Sequence, residues 1–533
     1  MIKKNLLALL CVALLFTFTT SCDDSSSEVD NEPDTTEPDT STPDVEDDEE
    51  EEEDVDPFSL LIPVSLSDET VEVDGYKNSY IKVDGSTSLT ITGTGVSALD
   101  NSYINILSSD SRVFFPNITR SYWELTTIAE NIYIKGERFV NGVNGNIKPY
   151  YDNLYIEVID PNFSPAIIYS GEESVGIDIS TIYLGSEIPL GDNTVDKILL
   201  KRGHQIVVAA SEDGTVSSRC FIALKNDLEI ILDETLSKQV SFMRALAVPY
   251  TNKSGIGGKS YGTYHEGLDL PWYYNWGVTD GLFDQDTEFI PMYWAKSWVS
   301  DSNNQYIIDM QYPLLMAFNE PDNSDQANLD YETAVEYYKE MHKLGVRLGS
   351  PSTEQVGSSA TAWATGTTQW IHLFMAEVEK QGLRVDVMGF HWYDVGYIAN
   401  LTATTAASSS PGRLMTNAEA CFERYGRPII ITEFNCGTAG TYSTSTSSNR
   451  WDLAQGFFQN VVPMLEASEA IERYAMFPPH STIYGTGTDS SGNSFKKGLV
   501  DLVNGSYVLN ENGESYKCMQ STPSIVYADD STK

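Results

Sequence analysis

Two glutamates stand where apolar runs stop. Leu314-Leu-Met-Ala-Phe318 is followed by Asn319, Glu320, Pro321 and Asp322, and Ile429-Ile-Ile431 by Thr432, Glu433, Phe434 and Asn435. An ionised carboxylate at the end of a buried run costs on the order of several kcal/mol unless partners compensate it. A purely structural reading gives each Glu an arginine beneath it; two such Glu on strands that face one another favour chemistry instead. Two carboxyls across a cleft are what glycosidic bond cleavage needs. One stays protonated to assist the leaving oxygen and the other stays ionised to attack the anomeric carbon, and their environments must separate the two pKa values. There is no HExxH and no Walker loop, and the six His are scattered singly, so neither a metal hydrolase nor a nucleotide enzyme has a foothold. No cofactor and no metal is expected.

The elements that must position the pair are legible from residue 237 onward. Eight apolar runs, 242–250, 272–276, 289–294, 314–320, 346–351, 385–393, 429–435 and 473–478, read as strands and alternate with helical patterns. Asp330 is placed to cap a helix over 331–343 that stops at Gly345. Residues 368–381 put Ile371, Phe374, Met375 and Val378 on one face, 415–425 end at Gly426, and Pro463 should bend or break the helix near 451–467. The fold class is α/β: a (β/α)8 barrel with a C-terminal extension over 237–533, whose working residues sit where strands end. Glu320 then closes strand four and Glu433 strand seven, and the pair should lie within about 5.5 Å. His391 and Tyr393 end strand six, beside Glu433, near enough to orient it or hold its charge. Asn275, Trp276 and Trp294 end strands two and three, where indole faces could stack on sugar rings or simply pack.

Taken in order, Trp272-Tyr-Tyr-Asn-Trp276, Phe318-Asn-Glu-Pro-Asp322, Leu348-Gly-Ser-Pro351, His391-Trp-Tyr393 and Thr432-Glu-Phe434 resemble glycoside hydrolase family 128, whose members cut β-1,3-glucan. The resemblance covers roughly residues 240–480. It implies Glu320 as acid/base, Glu433 as nucleophile, Asn319 bonded to the sugar 2-hydroxyl, retention of anomeric configuration and endo action on a β-glucan. Two rivals remain at this level: a barrel glycosidase acting on another β-linked glycan, and a non-catalytic surface glycan-binding lipoprotein. The second has no need of the paired acids.

Ahead of the barrel, residues 57–236 alternate in short runs between Gly, Asn, Asp and Ser clusters and are expected to form an antiparallel β-sandwich. Phe114, Phe115, Tyr122, Trp123, Tyr150 and Tyr151 there are either core or a sugar platform. Residues 23–56 carry 19 acids and no Lys or Arg, too charged for a core, and read as a solvated spacer. With 77 acids against 33 bases over 533 residues, the basic footprint of a nucleic-acid binder is missing. Lys3 and Lys4, the apolar run Leu6–Phe18, then Thr19, Thr20, Ser21 and Cys22 form an export signal over residues 1–22. Cys22 after small residues, followed by Asp23 and Asp24, resembles the signal of surface lipoproteins in Bacteroidota. That resemblance implies lipidation of Cys22, an outer-membrane lipid as partner and a cell-surface location. Cys220, Cys421, Cys436 and Cys518 are too sparse for a disulfide framework, and their pairing stays open.

Overall fold

The computed structural model describes residues 58–516, except 94–97, 117–129, 141–143, 151–152, 160–162, 225, 249–251, 259–270, 281–287, 355–359, 395–402, 436–453, 478–485, 489–493, 497 and 505. The export signal with Cys22, the acidic segment, Tyr122, Trp123, Tyr151, Cys436 and Cys518 lie outside the described residues. The fold is mixed α/β.

Strands between residues 62 and 134 build a parallel stack. Ile62–Ser67, Ser79–Asp84, Tyr103–Ile106 and Ile132–Ile134 form one wall. Thr70–Val73, Ser88–Ile91 and Arg112–Phe115 form a second. The chain passes from wall to wall and returns one level along, so Ile81, Val83, Leu89, Ile91, Ile104, Ile106 and Val113 meet in one core. This corrects the antiparallel expectation for these residues. Period-two alternation reports which face is buried; it is silent on the direction of the neighbouring strand. Residues 166–247 do pair antiparallel, in two four-stranded sheets that share a core of Ile168, Ile198, Leu200, Ile206, Val208 and Met243.

Phe242–Ala247 belongs to the second of those sheets, pairing antiparallel with His204–Ala209 and Ile182–Leu184. It is not the first parallel strand, which the apolar run had suggested. A strand in the middle of any buried sheet reads as continuous apolar sequence, whatever its partners. The true first parallel strand, β1, is Ser254–Gly257, followed by β2 Trp272–Tyr274, β3 Glu288–Phe289, β4 Leu314–Leu315, β5 Arg347–Leu348, β6 Met388–Tyr393, β7 Ile429–Asn435 and β8 Ile471–Met476. Sequence Ser-Gly-Ile-Gly shows no strand pattern because its inner volume is supplied by neighbours. A Cβ on Gly255 would fall 2.2 Å from the Trp272 ring, and one on Gly257 2.9 Å from the Tyr274 ring.

Strands β3, β2, β1, β8, β7 and β6 form one six-stranded sheet, every neighbouring pair parallel. β4 pairs with β5, and parallel bridges Met292–Met316 and Gly349–Val387 link that pair to the chain after β3 and before β6. Side chains alternate between two cores: Trp272, Tyr274, Met292, Leu314, Met316, Val387, Ile430 and Ala475 in one, Tyr273, Leu315, Ala317, Leu348 and Phe390 in the other. The second is roofed by helices: α1 Asp301–Asp309, α2 Tyr331–Met341, α3 Trp370–Gln381, α4 Ala403–Tyr425 and α5 Ala454–Ala467. Asp330 caps α2 through the Thr333 N–H at 2.7 Å, and Gly345 beyond it has φ +60°. Residues 403–411 are helical, joining the expected 415–425 segment in one helix through Pro411. Helix α5 likewise runs through Pro463 rather than breaking. Pro463 and Gln459, whose carbonyl loses its donor, are exposed, so the cost of the missing bond falls on the solvent face of the helix.

Candidate active site

The C-terminal ends of β4, β6 and β7 converge. β6 and β7 pair in step through Phe390–Ile431; the register then shifts and His391 lies opposite Glu433. Thr432 is the extra residue, and such a bulge re-aims the side chain that follows it. Thr432 is pinned on both sides, its Oγ1 3.0 Å from Ser352 Oγ and its carbonyl accepting the Tyr274 hydroxyl at 2.8 Å. Glu320 has φ +43° and Trp276 φ +60°, in the left-handed region that residues with a Cβ seldom enter. The Glu320 N–H donates to the Ser352 carbonyl at 2.7 Å, one of the contacts that holds the strained turn.

The carboxylates meet. Single ligand atoms of Glu320, His391 and Glu433 lie within 4.8 Å of one another, so the two acids are as close as the roughly 5–5.5 Å separation at which one carboxylate of a pair acts as the nucleophile. Both are buried, at 7% and 5% exposure. Glu433 Oε2 accepts the Tyr393 hydroxyl at 2.5 Å and Oε1 accepts the Trp276 indole N–H at 3.0 Å. His391 sits between the acids, Nδ1 3.1 Å from Glu320 Oε1 and Nε2 3.8 Å from Glu433 Oε1. The Asn319 amide donates to Gln326 Oε1 at 3.2 Å, leaving its own buried Oδ1 without a hydrogen-bond partner among the described residues. A buried acceptor in that state awaits a donor.

Burial pushes the Glu433 carboxyl above its usual range; His391, Tyr393 and Trp276 pull the other way, and Glu320 adds to the rise. Burial opposes charge on His391, but Glu433 and Glu320 outweigh it and raise the imidazole. The Tyr274 and Tyr393 hydroxyls are raised well above normal by burial and by Glu433, so both remain donors. The buried arginines nearby are committed elsewhere: Arg347 forks onto Glu472 at 2.8 and 2.9 Å, Arg473 pairs with Glu288, and Arg384 with Asp386. Among the described residues, neither central acid is an arginine's counter-ion.

Glu320, His391 and Glu433 are close enough for their atoms to share one cation. The donors argue against that use. A tyrosine O–H and an indole N–H already point at the two oxygens of Glu433, and such hydrogens serve an anion and would repel a metal.

Of the residues marked in the sequence, the structure gathers Glu320, Glu433, His391, Tyr393, Asn319 and Trp276 at one place. Asn275 is not among them: its Nδ2 donates to the Thr279 carbonyl and its Oδ1 accepts the Gly277 N–H, which closes its own turn. Trp294 contributes its carbonyl to the Asn319 N–H, while its half-buried ring packs on the core. Tyr274, Gln326, Ser352 and Thr432 escaped the sequence reading. Tyr274 lay inside a quoted motif but reads as a strand interior; Gln326 carries no local signal. Phe115 is core, and the half-buried Phe114 ring lies tilted against that of Tyr155 with centres 5.5 Å apart.

Residues 254–504 match the family described as glycosyl hydrolase catalytic core. No curated protein sequence matches the chain. Among solved structures, an endo-β-1,3-glucanase of family 128, subgroup I, from Amycolatopsis mediterranei is 25% identical, covering 50% of this chain and 98% of its own, with a TM-score of 0.38. A subgroup II endo-β-1,3-glucanase from Sorangium cellulosum is 21% identical, covering 50% and 97%, with a TM-score of 0.36. A curdlan-specific exo-β-1,3-glucanase from Blastomyces gilchristii is 23% identical, covering 50% and 98%, with a TM-score of 0.35. Residues 254–504, which hold both carboxylates, match the glycosyl hydrolase catalytic core, and the chain is an O-glycosyl hydrolase.

Proposed function

We propose that the protein hydrolyses β-1,3-glucan within the chain by double displacement at Glu433 and Glu320. The observation that carries this is the close approach of the two buried acids, within 4.8 Å. Glu433, held by the Tyr393 and Trp276 donors, is the anion that attacks the anomeric carbon. As the C–O bond to the leaving sugar breaks, that oxygen takes the proton of Glu320. Water then gives a proton back to Glu320 and attacks the same carbon, the ester bond to Glu433 breaks, and configuration is retained. A hydroxyl at the sugar 2-position fits the unmatched Oδ1 of Asn319, a contact that strengthens as positive charge develops on the ring.

Proton NMR of the first-formed product tests the outcome: β-configured ends appear first, and α-ends would refute the mechanism. Glu320→Ala lowers kcat by about 10²–10⁴-fold, and Glu433→Gln abolishes turnover on a β-1,3-glucan. A panel of other β-linked polysaccharides completes the test; preferential cleavage of one of those would displace the substrate assignment.

The same reading closes β1–β8 as a (β/α)8 barrel. It is supported by the parallel bridges on both sides of β4–β5, by the two alternating cores and by Tyr516. That hydroxyl donates to the Gly255 carbonyl at 2.6 Å and accepts the Met476 N–H at 3.0 Å across the β1–β8 seam. It also assigns residues 166–247 to a β-sandwich, residues 23–56 to a spacer and residues 1–22 to a lipoprotein signal that tethers the enzyme to the outer surface of the outer membrane through Cys22. Metabolic labelling with a fatty acid tests the tether: wild type takes the label and Cys22→Ser does not.

A further inference from the structure

A cavity that shares no lining residue with the catalytic site lies where the parallel stack meets the antiparallel sheets. Arg202 joins the two, its Nη1 donating to Ser88 Oγ at 2.7 Å and its Nη2 to the Asp110 carbonyl at 2.5 Å. The cavity beside it, of about 300 Å³, is lined by Phe163, Asp110, Arg112, Lys201, Asn226 and Asp227 among others. That volume is at the lower end of ligand sites, roughly 300–1,000 Å³, and suits a short segment of a larger molecule.

The lining restricts the ligand. Lys201 Nζ is shared between Asp227 at 2.9 Å and Asp110 at 3.8 Å, and Arg112 Nε lies 3.5 Å from Glu157. An anion entering here meets Asp110 and Asp227; a cation meets Lys201 and Arg112. An apolar group would strip water from all of them without return. What remains is a neutral ligand with many hydroxyls, each able to donate to a carboxylate and accept from an ammonium. Asp110 and Asp227 are only partly buried and keep acceptor capacity beyond Lys201. Phe163 adds an apolar ring, half-buried and backed by His204 with ring centres 5.3 Å apart. His204 is itself buried and held neutral by that burial, so the support behind Phe163 carries no charge. Carbohydrates present both an apolar ring face and a hydroxyl rim.

We infer that this joint between the β-modules binds a second segment of the neutral glucan chain that the barrel cleaves, an inference that rests on the function proposed above. A weak second site on one polypeptide gains from the effective concentration of a polymer already bound.

Calorimetric titration of the full chain carrying Glu433→Gln with a β-1,3-linked glucopentaose tests it, with Phe163→Ala and Lys201→Met added separately. Circular dichroism confirms that each variant is folded; should Phe163→Ala fail to fold, Lys201→Met decides alone. Two equivalents bind in the parent and one in each double variant, with the remaining affinity unchanged. Two equivalents in a folded double variant, no binding in the parent, or a parent that binds only one equivalent and keeps it in the double variant overturns the inference. A single equivalent lost on Lys201→Met upholds the joint site and instead defeats the β-1,3-glucan reading of the catalytic cleft.

Discussion

At the scale of single residues the proposed chemistry turns on how Glu433, as the attacking anion, keeps its charge. Tyr393 donates to one of its oxygens and Trp276 to the other, against a burial that favours the protonated form. Tyr393→Phe removes a hydrogen bond to a charged group, worth about 1.5–3 kcal/mol. The carboxyl rises further, and because the attacking form is the ionised one, the acidic limb of the kcat/KM profile moves to higher pH. At the wild-type optimum kcat/KM falls by about 10–100-fold; a pH–rate profile checks both, and an unmoved acidic limb contradicts the role. The same burial has a stability consequence. Glu433 is raised in the fold, so between the ordinary carboxyl value and the folded one the native state binds the extra proton, and stability falls as pH climbs through that window. His391, also raised, contributes in the same direction: its stabilisation is complete below the ordinary imidazole value and is lost as pH climbs through the folded one. Glu433→Gln removes the first contribution. Its melting temperature exceeds that of wild type by more at pH 8 than at pH 5, and scanning calorimetry at the two pH values reads the difference.

At the scale of elements, the strands are held at the level below the acids by ion pairs. Arg347 of β5 and Glu472 of β8 are 3% and 0% exposed and share two hydrogen bonds. Breaking such a pair from one side strands a charge. Arg347→Ala is expected to cost about 3–5 kcal/mol, whereas Arg347→Met with Glu472→Leu costs far less; urea unfolding of the single and double variants separates the two. These partners could not be paired from sequence, because nothing local connects positions 347 and 472. The acids themselves were legible, since each closes an apolar run, and so was the capped helix after Asp330. The bulge at Thr432 was not: Ile-Ile-Ile-Thr-Glu-Phe reads as an unbroken strand, and the slip exists only relative to β6. β1 was missed for a related reason, its interior being filled by Trp272 and Tyr274 from the next strand. Alternation identified the buried faces of residues 62–115 and left the direction of pairing undetermined.

At the scale of the molecule, the antiparallel sheets are fastened beneath the catalytic part, at the end of the strands opposite to the acids. Gln205 Nε2 donates at 2.8 Å to the carbonyl of Pro313, just before β4, and Arg384 Nε, before β6, donates at 3.1 Å to Ser218 Oγ. Arg244 donates to the carbonyls of Leu344 at 2.5 Å, Ile308 at 3.0 Å and Ser180 at 3.1 Å, and is fully buried. Burial pushes its guanidinium down to about 10, so the side chain remains cationic at neutral pH. A buried cation whose acceptors among the described residues are carbonyls of two modules ties their stabilities together, because opening either one leaves the charge without part of its acceptors. The sheets are on this account a floor for the catalytic part and fold with it as one unit. Arg244→Ala orphans three carbonyls and is expected to cost at least about 3 kcal/mol. Arg244→Lys restores the charge without the planar fork and recovers only part of the loss. The stack and the acids are remote from this contact, so kcat/KM of the folded fraction is unchanged. In scanning calorimetry the antiparallel sheets and the catalytic part melt in one transition that moves down as a whole in Arg244→Ala. Two transitions, with the one that abolishes activity left in place, would show that the sheets merely rest against the enzyme.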